Sequence, residues 1–432
     1  MSNLDKLYEM NSWWKLGQVR PELIPPYRRK LFSEIEKYIE LRQIITIVGL
    51  RRTGKTTILL QTVDKLIKGG VSPERILYFS FDENVEDLGD IIDFYHENVL
   101  REDVTAKTTY IILDEIQKLN DWQNKIKIYY DQYPSIKFFI SGSASLNILL
   151  DAKESLAGRT FYFNLDILSF EEFLELRGWN VEKIKENVAL WKHEIKSELN
   201  TYLLKPFPEI VDVDDEIAKR YIKESIIEKT IFRDLSTLFK VRDMELIEKL
   251  IRIIATNPGM MINLDEISRE VGRSRQTISN YLYYMKTCFI MSDLKNFRGS
   301  FKVSSRKLKK YYLIHPSVAL ALANPPQGKL VENLIQFITK ADNFWRDAGK
   351  EVDFVTLKDE SMIPIESKYS SKVGIRDVKG MIKFMEKYSV KIGFVITDDY
   401  EATEKLEDKV IIFVPLWKWV FGHPLLIHES SS

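Results

Sequence analysis

The sequence predicts an α/β fold that begins with a parallel sheet covered by helices on both faces. Two observations in residues 1–168 favour this fold class. Short apolar segments alternate with helical stretches, and this alternation is typical of a parallel sheet with crossover helices. One apolar segment, Ile44–Val48, also runs directly into a glycine-rich loop and then a helical stretch. That arrangement presents the N-terminus of a helix to an anion.

Apolar runs separated by polar segments define the elements of this region. The predicted strands are Ile44–Val48, Ile76–Ser80, Tyr110–Leu113 and Lys137–Ser141. The predicted helices are Lys30–Leu41, Thr56–Lys68 and Ile91–Arg101. Because parallel strands end at the same edge of a sheet, the residues that follow these strands are expected to lie close together.

The composition excludes several classes of protein. The 432-residue chain has 63 Lys+Arg and 63 Asp+Glu residues, so its net charge indicates no overall polyanion partner. Cys288 is the only cysteine, which excludes an intrachain disulfide and a cysteine-rich zinc site. Residues 1–14 lack the apolar core of a signal peptide, and no segment has the roughly 18 apolar residues of a membrane span. We therefore expect a cytoplasmic protein that does not enter a membrane.

The segment from Gly49 to Thr56 reads G-x-x-x-x-G-K-T, the pattern of a phosphate-binding loop. Its glycines let the backbone approach a phosphate, and the N–H groups that begin the next helix are free to bind an anion. Lys55 is predicted to reach the β- and γ-phosphates, and the Thr56 hydroxyl to bind Mg²⁺. The predicted nucleotide-binding residues are Gly49, Arg52, Thr53, Gly54, Lys55, Thr56 and Thr57. The expected ligands are ATP and Mg²⁺.

Two adjacent carboxylates follow another buried strand. Asp114 and Glu115 come directly after Tyr110–Leu113, at the end of a parallel strand where α/β sheets bind their ligands. Asp114 is predicted to hold Mg²⁺ through water. Glu115 is predicted to orient or deprotonate the attacking water.

Two further positions are candidates for contact with the reacting phosphate. Ser141 and Ser143 follow the next strand, and either hydroxyl is a candidate to contact the γ-phosphate or the attacking water. A hydroxyl-rich turn explains the same pattern equally well. Arg159 is a candidate to stabilise charge on the transferred phosphoryl group, in its own subunit or in a neighbour. The alternative for Arg159 is a surface arginine in a turn.

Five segments together resemble a known family. They read GLRRTGKTT, YIILDEIQKL, FFISGSAS, ESLAGR and ILSFEEFLELRG. In these segments the chain is similar to archaeal and bacterial AAA+ ATPases placed near the STAND and origin-recognition-like groups, and the resemblance extends over nearly the whole chain. It implies that Arg159 matches an arginine implicated in nucleotide chemistry. It also implies a helical lid from Ser169 to Thr256.

A helix-turn-helix is predicted in the middle of the chain. Asn263 can cap its first helix, Glu266 would complete a capping box, and Gly272 suits the left-handed turn that follows. The second helix is predicted at Ser274–Met285. The residues expected to face a major groove of DNA are Ser274, Arg275, Gln276 and Ser279.

The segment after the second helix is basic and is predicted to form a β-hairpin wing. Between Lys286 and Lys310 it has eight Lys or Arg residues and one acid, Asp293. The basic residues are Lys286, Lys295, Arg298, Lys302, Arg306, Lys307, Lys309 and Lys310. Such charge contacts DNA phosphates, so Lys302 and Arg306 join the predicted DNA contacts. Winged helices also serve as protein-docking or structural modules, and this alternative stays open.

The C-terminal segment is predicted to carry two carboxylates and a lysine on a hairpin. Glu351–Val355 and Ile363–Lys368 have the pattern of its two strands. Alternation puts Glu366 and Lys368 on one face, and Asp353 falls close to them if the strands pair in register. Two carboxylates that close bind a hard divalent cation, and the lysine can position or activate a water. The alternative is a set of surface residues on a solvated hairpin.

This segment resembles the PD-(D/E)XK nuclease fold, a restriction-endonuclease-like α/β domain. The resemblance implies that Asp353 and Glu366 hold a metal ion with Lys368 beside them. It also makes Glu332 a candidate third carboxylate and Lys379 a candidate further member of the site. Whether this domain cleaves DNA stays open.

Together these segments predict four domains and one coupled activity. The domains are a P-loop ATPase core at 1–168, a helical lid at 169–256, a winged helix-turn-helix at 257–325 and a nuclease-like α/β domain at 326–432. We expect an ATP-hydrolysing AAA+ type ATPase that couples nucleotide state to DNA binding or remodelling, with metal-dependent cleavage left open. The alternative is a slow nucleotide switch that gates a protein partner. A homo-oligomer is compatible with both.

Overall fold

The computed structural model describes residues 6–422 apart from 84–86, 103–106, 144–155, 240, 242, 301–302, 359–360 and 371. The chain divides into two compact units, Met1–Ile167 and Leu168–Ser432. The predicted α/β fold class is confirmed, because the first unit is a parallel sheet flanked by helices and the second is a separate α/β unit. Lys302 lies outside the described residues, and so do the side chains of Arg306 and Ser143.

Five parallel strands form the sheet of the first unit. In chain order they are β1 Ile44–Gly49, β2 Ile76–Ser80, β3 Thr109–Asp114, β4 Ile136–Ser143 and β5 Thr160–Asn164. Their order across the sheet is β2-β3-β4-β1-β5, so the strand that precedes the phosphate loop lies inside the sheet. Strands β1 to β4 agree with the four predicted strands. Strand β5 has no counterpart among the predictions, because its apolar run is short and most of its residues are only half-buried.

Helices pack on both faces of this sheet. They are α1 Lys6–Met10, α2 Trp13–Leu16, α3 Lys30–Glu36, α4 Lys55–Lys68, α5 Leu88–Tyr95 and α6 Trp122–Gln132. A π-helical turn, His96–Leu100, follows α5, and 3₁₀ turns lie at Pro21–Leu23, Pro73–Arg75 and Ile116–Lys118. Because side chains alternate along a strand, Leu113 joins one apolar core with α5 and α6 while Ile112 joins the other with α3 and α4.

The N-terminal helices cover the exposed edge of the sheet at β2. The side chain of Asn11 donates to the carbonyl oxygen of Tyr78 at 2.8 Å and accepts from its N–H at 2.7 Å. The indole N–H groups of Trp13 and Trp14 both donate to the carbonyl oxygen of Ile76, at 3.0 Å and 2.9 Å. These side chains form hydrogen bonds with backbone groups of β2 that would otherwise be available to pair with another strand.

The second unit contains helices α7 to α18. They are α7 Phe170–Leu176, α8 Val181–Glu186, α9 Lys192–Leu204, α10 Asp215–Tyr221, α11 Ser236–Phe239, α12 Met244–Thr256, α13 Leu264–Val271, α14 Arg275–Thr287, α15 Pro316–Leu322, α16 Gln327–Thr339, α17 Lys379–Tyr388 and α18 Leu416–Trp419. Two π-helical segments, Ile222–Glu228 and Thr230–Leu235, follow α10, and 3₁₀ turns lie at Val188–Trp191, Pro208–Ile210 and Ile375–Asp377. Helix α7 begins with a reciprocal capping box between Ser169 and Glu172.

One mixed sheet of nine strands runs through the second unit. Its strands are β6 Met260–Met261, β7 Met291–Ser300, β8 Val303–Leu313, β9 Asn343–Asp347, β10 Lys350–Lys358, β11 Ser361–Lys368, β12 Ile392–Thr397, β13 Ala402–Leu406 and β14 Lys409–Pro415. Their order is β13-β14-β12-β11-β10-β9-β7-β8-β6. The hairpin β7–β8, predicted as a wing, therefore lies in the same sheet as the hairpin β10–β11, predicted as part of a nuclease-like domain.

Helices α13 and α14 lie where the helix-turn-helix is predicted. Gly272 has φ 64° in the turn between them, as expected from its position. The predicted capping box is wrong in detail: the Asn263 side chain accepts from the N–H of Asp265, and Glu266 accepts from the Asn263 side-chain amide at 2.9 Å instead of from its backbone. Within the described part of the chain, no helix combines the length and the apolar character needed to cross a bilayer.

Candidate nucleotide-binding site

The predicted phosphate loop joins the carboxyl end of β1 to the first residue of α4. Gly49 has φ 154°, and an added Cβ there would lie 2.3 Å from the carbonyl oxygen of Leu165, so a larger residue would collide with the backbone. Arg52 and Gly54 have φ values of 64° and 101°, so the loop folds back through left-handed conformations. Successive backbone N–H groups in such a turn form an anion-binding concavity. These backbone conformations are consistent with the predicted phosphate loop.

Lys55 lies over this loop instead of extending into solvent. Its ammonium group donates to the carbonyl oxygens of Gly49 and Leu50, at 3.1 Å and 2.9 Å, and the residue is 5% exposed. Thr56 and Thr57 follow in the first turn of α4, whose leading N–H groups have no partner within the helix. The predicted loop residues and the Lys55 ammonium group thus lie together at the carboxyl end of β1.

Arg29 supports the loop from behind, and the sequence gives no local sign of this. Its guanidinium group donates to the carbonyl oxygen of Thr53 at 2.7 Å and to that of Asp166 at 2.9 Å. The residue is 7% exposed. The Thr53 hydroxyl in turn donates to the carbonyl oxygen of Leu50 at 2.9 Å. Arg29 therefore fixes the loop to the segment that follows β5.

The Asp114 carboxylate is the centre of a buried hydrogen-bond network and is 2% exposed. Its Oδ2 accepts from the hydroxyl groups of Thr56 at 2.6 Å and Tyr78 at 3.0 Å. Its Oδ1 accepts from the backbone N–H of Glu115 at 3.0 Å and from the hydroxyl of Ser141. Both oxygens are therefore held in place, and α4, β2 and β4 all contact the end of β3 through one carboxylate.

Glu115 follows Asp114 in a strained backbone conformation. It has φ 54°, which is uncommon for a residue with a side chain. Its Oε2 accepts from Nε2 of Gln117 at 2.5 Å, so the carboxylate is oriented although it is only half-buried. Backbone strain of this kind is concentrated at functional sites. Glu115 is thus placed beside the network that holds Asp114.

Tyr78 is a member of the site that sequence reasoning missed. It lies on β2, and its ring is buried in the core on the α4 side of the sheet. Burial, together with the charge of Asp114, raises the pKa of Tyr78 well above its ordinary value. The phenol therefore stays protonated and donates to Asp114 throughout the physiological pH range.

We expect Tyr78→Phe to lower kcat of ATP hydrolysis by about tenfold, because it removes one donor to a buried charged group. The ring remains, so the core is kept. The measurement is steady-state ATPase activity as a function of ATP and Mg²⁺ concentration. Tyr110→Phe, at the opposite end of β3, is the matched control and is expected to have wild-type activity. Equal kcat for Tyr78→Phe and wild type would show that this hydroxyl does not position Asp114.

Ser141 and Arg159 lie in very different places. Ser141 is fully buried and its hydroxyl contacts Asp114, so it holds this carboxylate, and its contact with a nucleotide stays a prediction. The carbonyl oxygen of Arg159 accepts from the N–H of Ile44, at the amino end of β1. That end is about 17 Å from the loop, since a strand rises about 3.3 Å per residue.

The Arg159 side chain is already paired where it lies. Its guanidinium group contacts both carboxylate oxygens of Asp131, at 2.9 Å and 3.0 Å. An arginine side chain is too short to cross the length of β1. This position favours a surface arginine in a turn, or action in a neighbouring subunit, over contact with a phosphate bound to its own subunit.

The predicted DNA-contacting face of α14 is exposed. Arg275, Gln276 and Ser279 are all exposed, and Arg275 pairs with Asp265 on α13 at 3.0 Å. The basic hairpin, by contrast, is partly neutralised: Lys286 and Lys309 both pair with the buried carboxylate of Asp293. Two of the eight counted basic residues are therefore offset by Asp293.

The assignment of Lys310 to the phosphate-contacting charge is wrong. Lys310 is 2% exposed, and its ammonium group lies between acidic side chains inside the second unit. The cause is strand alternation. Lys310 and Tyr312 share the buried face of β8, whereas the more exposed Lys309 lies on the other face.

The C-terminal hairpin brings its predicted residues together. Phe354 lies opposite Ile365, which places Asp353 beside Glu366, and Lys368 contacts Glu366 at 2.7 Å. Glu332, on α16, lies 3.6 Å from the Lys310 ammonium. Lys379 is exposed at the first residue of α17. In the described part of the chain, no group of three or more His, Cys, Asp or Glu residues is arranged to hold a metal ion.

Burial and neighbouring charges shift the pKa values of Asp353 and Glu366 in opposite directions. Burial alone raises the pKa of Asp353, but the Lys310 charge and a backbone hydrogen bond from Ser367 bring it below its ordinary value. Burial and the Asp353 charge raise the pKa of Glu366 to about 7. Burial lowers the pKa of Lys310, but the surrounding acids raise it above its ordinary value. Asp353 and Lys310 therefore form a stable ion pair at neutral pH.

Comparison with protein families finds matches over three segments of the chain. Residues 41–174 match a family described as an AAA domain. Residues 197–328 match the domain of unknown function DUF8612, and residues 327–419 match the domain of unknown function DUF4143. The phosphate loop, Asp114, Glu115 and Ser141 all fall within the first match. That part of the chain is therefore similar to AAA domains.

Three similar proteins have names that describe them as uncharacterized. One from Methanocaldococcus jannaschii is 27% identical, covering 89% of this chain and 90% of its own length. One from Haemophilus influenzae is 24% identical, and the match covers 90% of this chain and 98% of that protein. A second M. jannaschii protein is 25% identical, covering 92% and 88%. Among solved structures, C. elegans PCH-2 is 13% identical over 42% of this chain and 48% of its own, with a TM-score of 0.24. A likeness that low carries no argument.

Proposed function

We propose that the first unit binds and hydrolyses ATP, with the phosphate loop and the Asp114–Glu115 pair as its site. The observation that supports this most directly is the 2.6 Å hydrogen bond from the Thr56 hydroxyl to Asp114. It joins the first turn of α4 to the end of β3, the two places from which P-loop enzymes supply hydroxyl and carboxylate groups for Mg²⁺. The residues present therefore fit a magnesium-bound nucleotide.

Each residue has a separate role in this proposal. The N–H groups of the loop and the Lys55 ammonium bind phosphate oxygens. Thr56 and Asp114 would hold Mg²⁺, which when bound neutralises charge on the phosphates. Glu115 orients the attacking water and accepts its proton. Gln117 and Ser141 position the two carboxylates. Lys55 also has to leave the loop carbonyls to meet a phosphate, which a flexible lysine side chain allows.

Arg159 enters this proposal only through a second copy of the chain. Its place at the amino end of β1, paired with Asp131, separates it from the site of its own subunit. In a ring or dimer, an exposed arginine of one subunit stabilises transition-state charge in the next. Sizing in the presence of ATP tests this step. A monomer that hydrolyses ATP at an unchanged rate after Arg159→Ala would remove Arg159 from the mechanism.

We further propose that nucleotide state controls DNA contact through α13 and α14. This proposal includes the division of the second unit into a lid, a winged helix-turn-helix and a nuclease-like domain. Its support is the polar face of α14. Arg275 and Ser279 are one turn apart, Gln276 lies beside them, and all three are exposed. The shape and chemistry of this face suit base edges and phosphates.

Duplex DNA should bind more weakly as salt rises, with Arg275→Ala reducing affinity about five- to tenfold. The measurement is fluorescence anisotropy of labelled duplexes between low and physiological salt, with and without ATP. Arg220→Ala, at another exposed arginine of the second unit, is the control. Failure to bind at low salt, or binding indifferent to salt, would remove DNA from the proposal and leave the ATPase part intact.

A second candidate is a slow nucleotide switch that gates a protein partner. The observation that favours it is that Asp293, on the hairpin β7–β8, pairs with both Lys286 and Lys309 and so offsets part of the local positive charge. On this alternative α13 and α14 form a docking module. The rate of ATP hydrolysis, measured with and without DNA, distinguishes these two candidate functions. Strong stimulation of ATPase activity by duplex or branched DNA supports the first candidate, and very slow hydrolysis that is indifferent to DNA supports the second.

A further inference from the structure

The second unit contains a buried cation enclosed by acids, which we name the Lys310 cluster. It consists of Lys310 on β8, Glu332 on α16, and Glu351 and Asp353 on β10. The Lys310 ammonium lies 2.6 Å from Glu351 Oε1, 3.0 Å from Asp353 Oδ1 and 3.6 Å from Glu332 Oε1. A lysine is seldom buried to this degree unless it is paired, and here three carboxylates pair with it.

We propose that Lys310 is the built-in cation of this cluster, occupying the place of the divalent metal that the sequence predicts beside Asp353. The acids are then held together by an ammonium group that belongs to the chain. On this proposal the C-terminal domain uses its nuclease-like fold without metal-dependent cleavage. The proposal does not depend on ATP chemistry in the first unit.

The hydrogen-bond partners of the acids support the proposal. Asp353 Oδ1 accepts from Lys310, and its Oδ2 accepts from the N–H of Ser367 at 3.0 Å. Glu332 accepts from the Tyr312 hydroxyl at 2.7 Å and from Lys329 at 2.8 Å. A divalent cation such as Mg²⁺ needs several oxygen ligands in close array. Two of the donors, Lys310 and Lys329, are cations of the chain itself, unlike the hydroxyl and backbone N–H groups that donate to Asp114 in the first unit.

Glu366 provides one remaining oxygen. Its Oε1 contacts Lys368 at 2.7 Å, whereas its Oε2 is buried without a hydrogen-bond partner among the described residues. Glu351 Oε2 lies 3.8 Å from Nε of Arg346, a further cation of the chain. The unpartnered oxygen of Glu366 does not by itself form a site for a hard cation. A metal ion that bound both Asp353 and Glu366 would also lie within a few ångströms of the Lys310 ammonium, because Asp353 Oδ1 is 3.0 Å from it. Two like charges that close in a buried place repel strongly.

The backbone closes the cluster on another side. Gly259 has φ 83°, and a Cβ added there would lie 2.6 Å from Glu332 Oε1 and 2.8 Å from the Tyr312 ring. The main chain before β6 is therefore packed directly against Glu332. Tyr312, which donates to Glu332, is itself fully buried. Glu332 is therefore held in place both by the main chain at Gly259 and by the Tyr312 hydroxyl.

The first test titrates Mn²⁺ into nucleotide-free full-length protein by calorimetry. Wild type and Asp353→Asn are expected to give the same isotherm, with affinities equal within about twofold. A saturable Mn²⁺ site in wild type that Asp353→Asn abolishes would overturn the proposal. So would Mn²⁺-dependent cleavage of DNA that is present in wild type and absent from Asp353→Asn.

The second test removes the cation. Lys310→Met keeps the length of the side chain but leaves three carboxylates without it, so we expect the melting temperature to fall by about 5 °C or more. Mn²⁺ is expected to restore part of this loss in Lys310→Met and to leave wild type unchanged. Lys295→Met, at an exposed lysine of the same hairpin, is the control. A Lys310→Met protein as stable as wild type, with or without metal, would contradict the proposal. If Lys310→Met does not fold, the titration of wild type and Asp353→Asn decides alone.

Discussion

Lys55→Ala is expected to lower ATP affinity by at least about a hundredfold, because it removes the one lysine placed over the phosphate loop and with it two charge-assisted contacts to the nucleotide. The side chain lies over the loop, within hydrogen-bond distance of the carbonyl oxygens of Gly49 and Leu50, so a small movement brings its ammonium group to a phosphate. The measurement is equilibrium binding of a fluorescent ATP analogue with Mg²⁺. ATP hydrolysis should be lost together with binding.

The control for Lys55→Ala is Lys68→Ala. Both lysines lie on α4, but Lys68 is 70% exposed and pairs with Asp64 at the other end of the helix. Its removal changes net charge by the same amount and should leave ATP affinity as in wild type. A melting curve for each variant separates lost binding from lost folding. Unchanged ATP affinity in a folded Lys55→Ala protein would refute the assignment of the loop.

The sequence alone was sufficient to predict those parts of the candidate site that are formed by residues adjacent in the chain. The loop from Gly49 to Thr56 is read from one stretch of chain, and each glycine has a local reason to be there. The Asp114–Glu115 pair is found because a buried parallel strand is an uninterrupted apolar run with a defined end. Strand, loop, helix and carboxylates therefore follow from patterns that span a few residues each.

The sequence was not sufficient for contacts between distant segments. Arg29 reaches a carbonyl oxygen 24 positions away in the loop and another 137 positions away after β5. Nothing in the residues next to Arg29 distinguishes it from Arg28, which is partly exposed and pairs with Glu36. Tyr78 likewise contacts Asp114 only because β2 and β3 are neighbours in the sheet. Such roles depend on topology, which periodicity does not specify.

Lys310 shows why a count of charges misleads. Its segment reads Lys309-Lys310-Tyr311-Tyr312, which resembles a basic surface when residues are simply counted. In an extended strand, however, alternate residues face opposite sides, so one of two adjacent lysines can be buried. The sequence did contain one sign of a buried lysine, namely three acids, Glu332, Glu351 and Asp353. A buried acid needs a partner of opposite charge or a hydrogen-bond donor. Without the sheet order, those acids could not be assigned to Lys310.

Glu115→Gln is expected to slow ATP hydrolysis by about 10²- to 10⁴-fold while ATP binding is retained, since this is the range attributed to a positioned general base. Glutamine has the same shape, and its carbonyl oxygen can still accept from Gln117, so the arrangement at the end of β3 is kept. The strained φ of 54° at this position applies equally to both residues. The lost property is the capacity to accept a proton from water.

The measurement is single-turnover hydrolysis together with the amount of ATP that stays with the protein after gel filtration. Wild type should release ADP, whereas Glu115→Gln should retain unhydrolysed ATP. Glu22→Gln, at an exposed glutamate in the turn Pro21–Leu23, controls for the change in net charge and should hydrolyse ATP normally. Wild-type turnover by Glu115→Gln would place the base elsewhere. In this proposal Asp114, which accepts from four donors, holds Mg²⁺ through water, so Glu115 is the carboxylate of the pair that receives the proton.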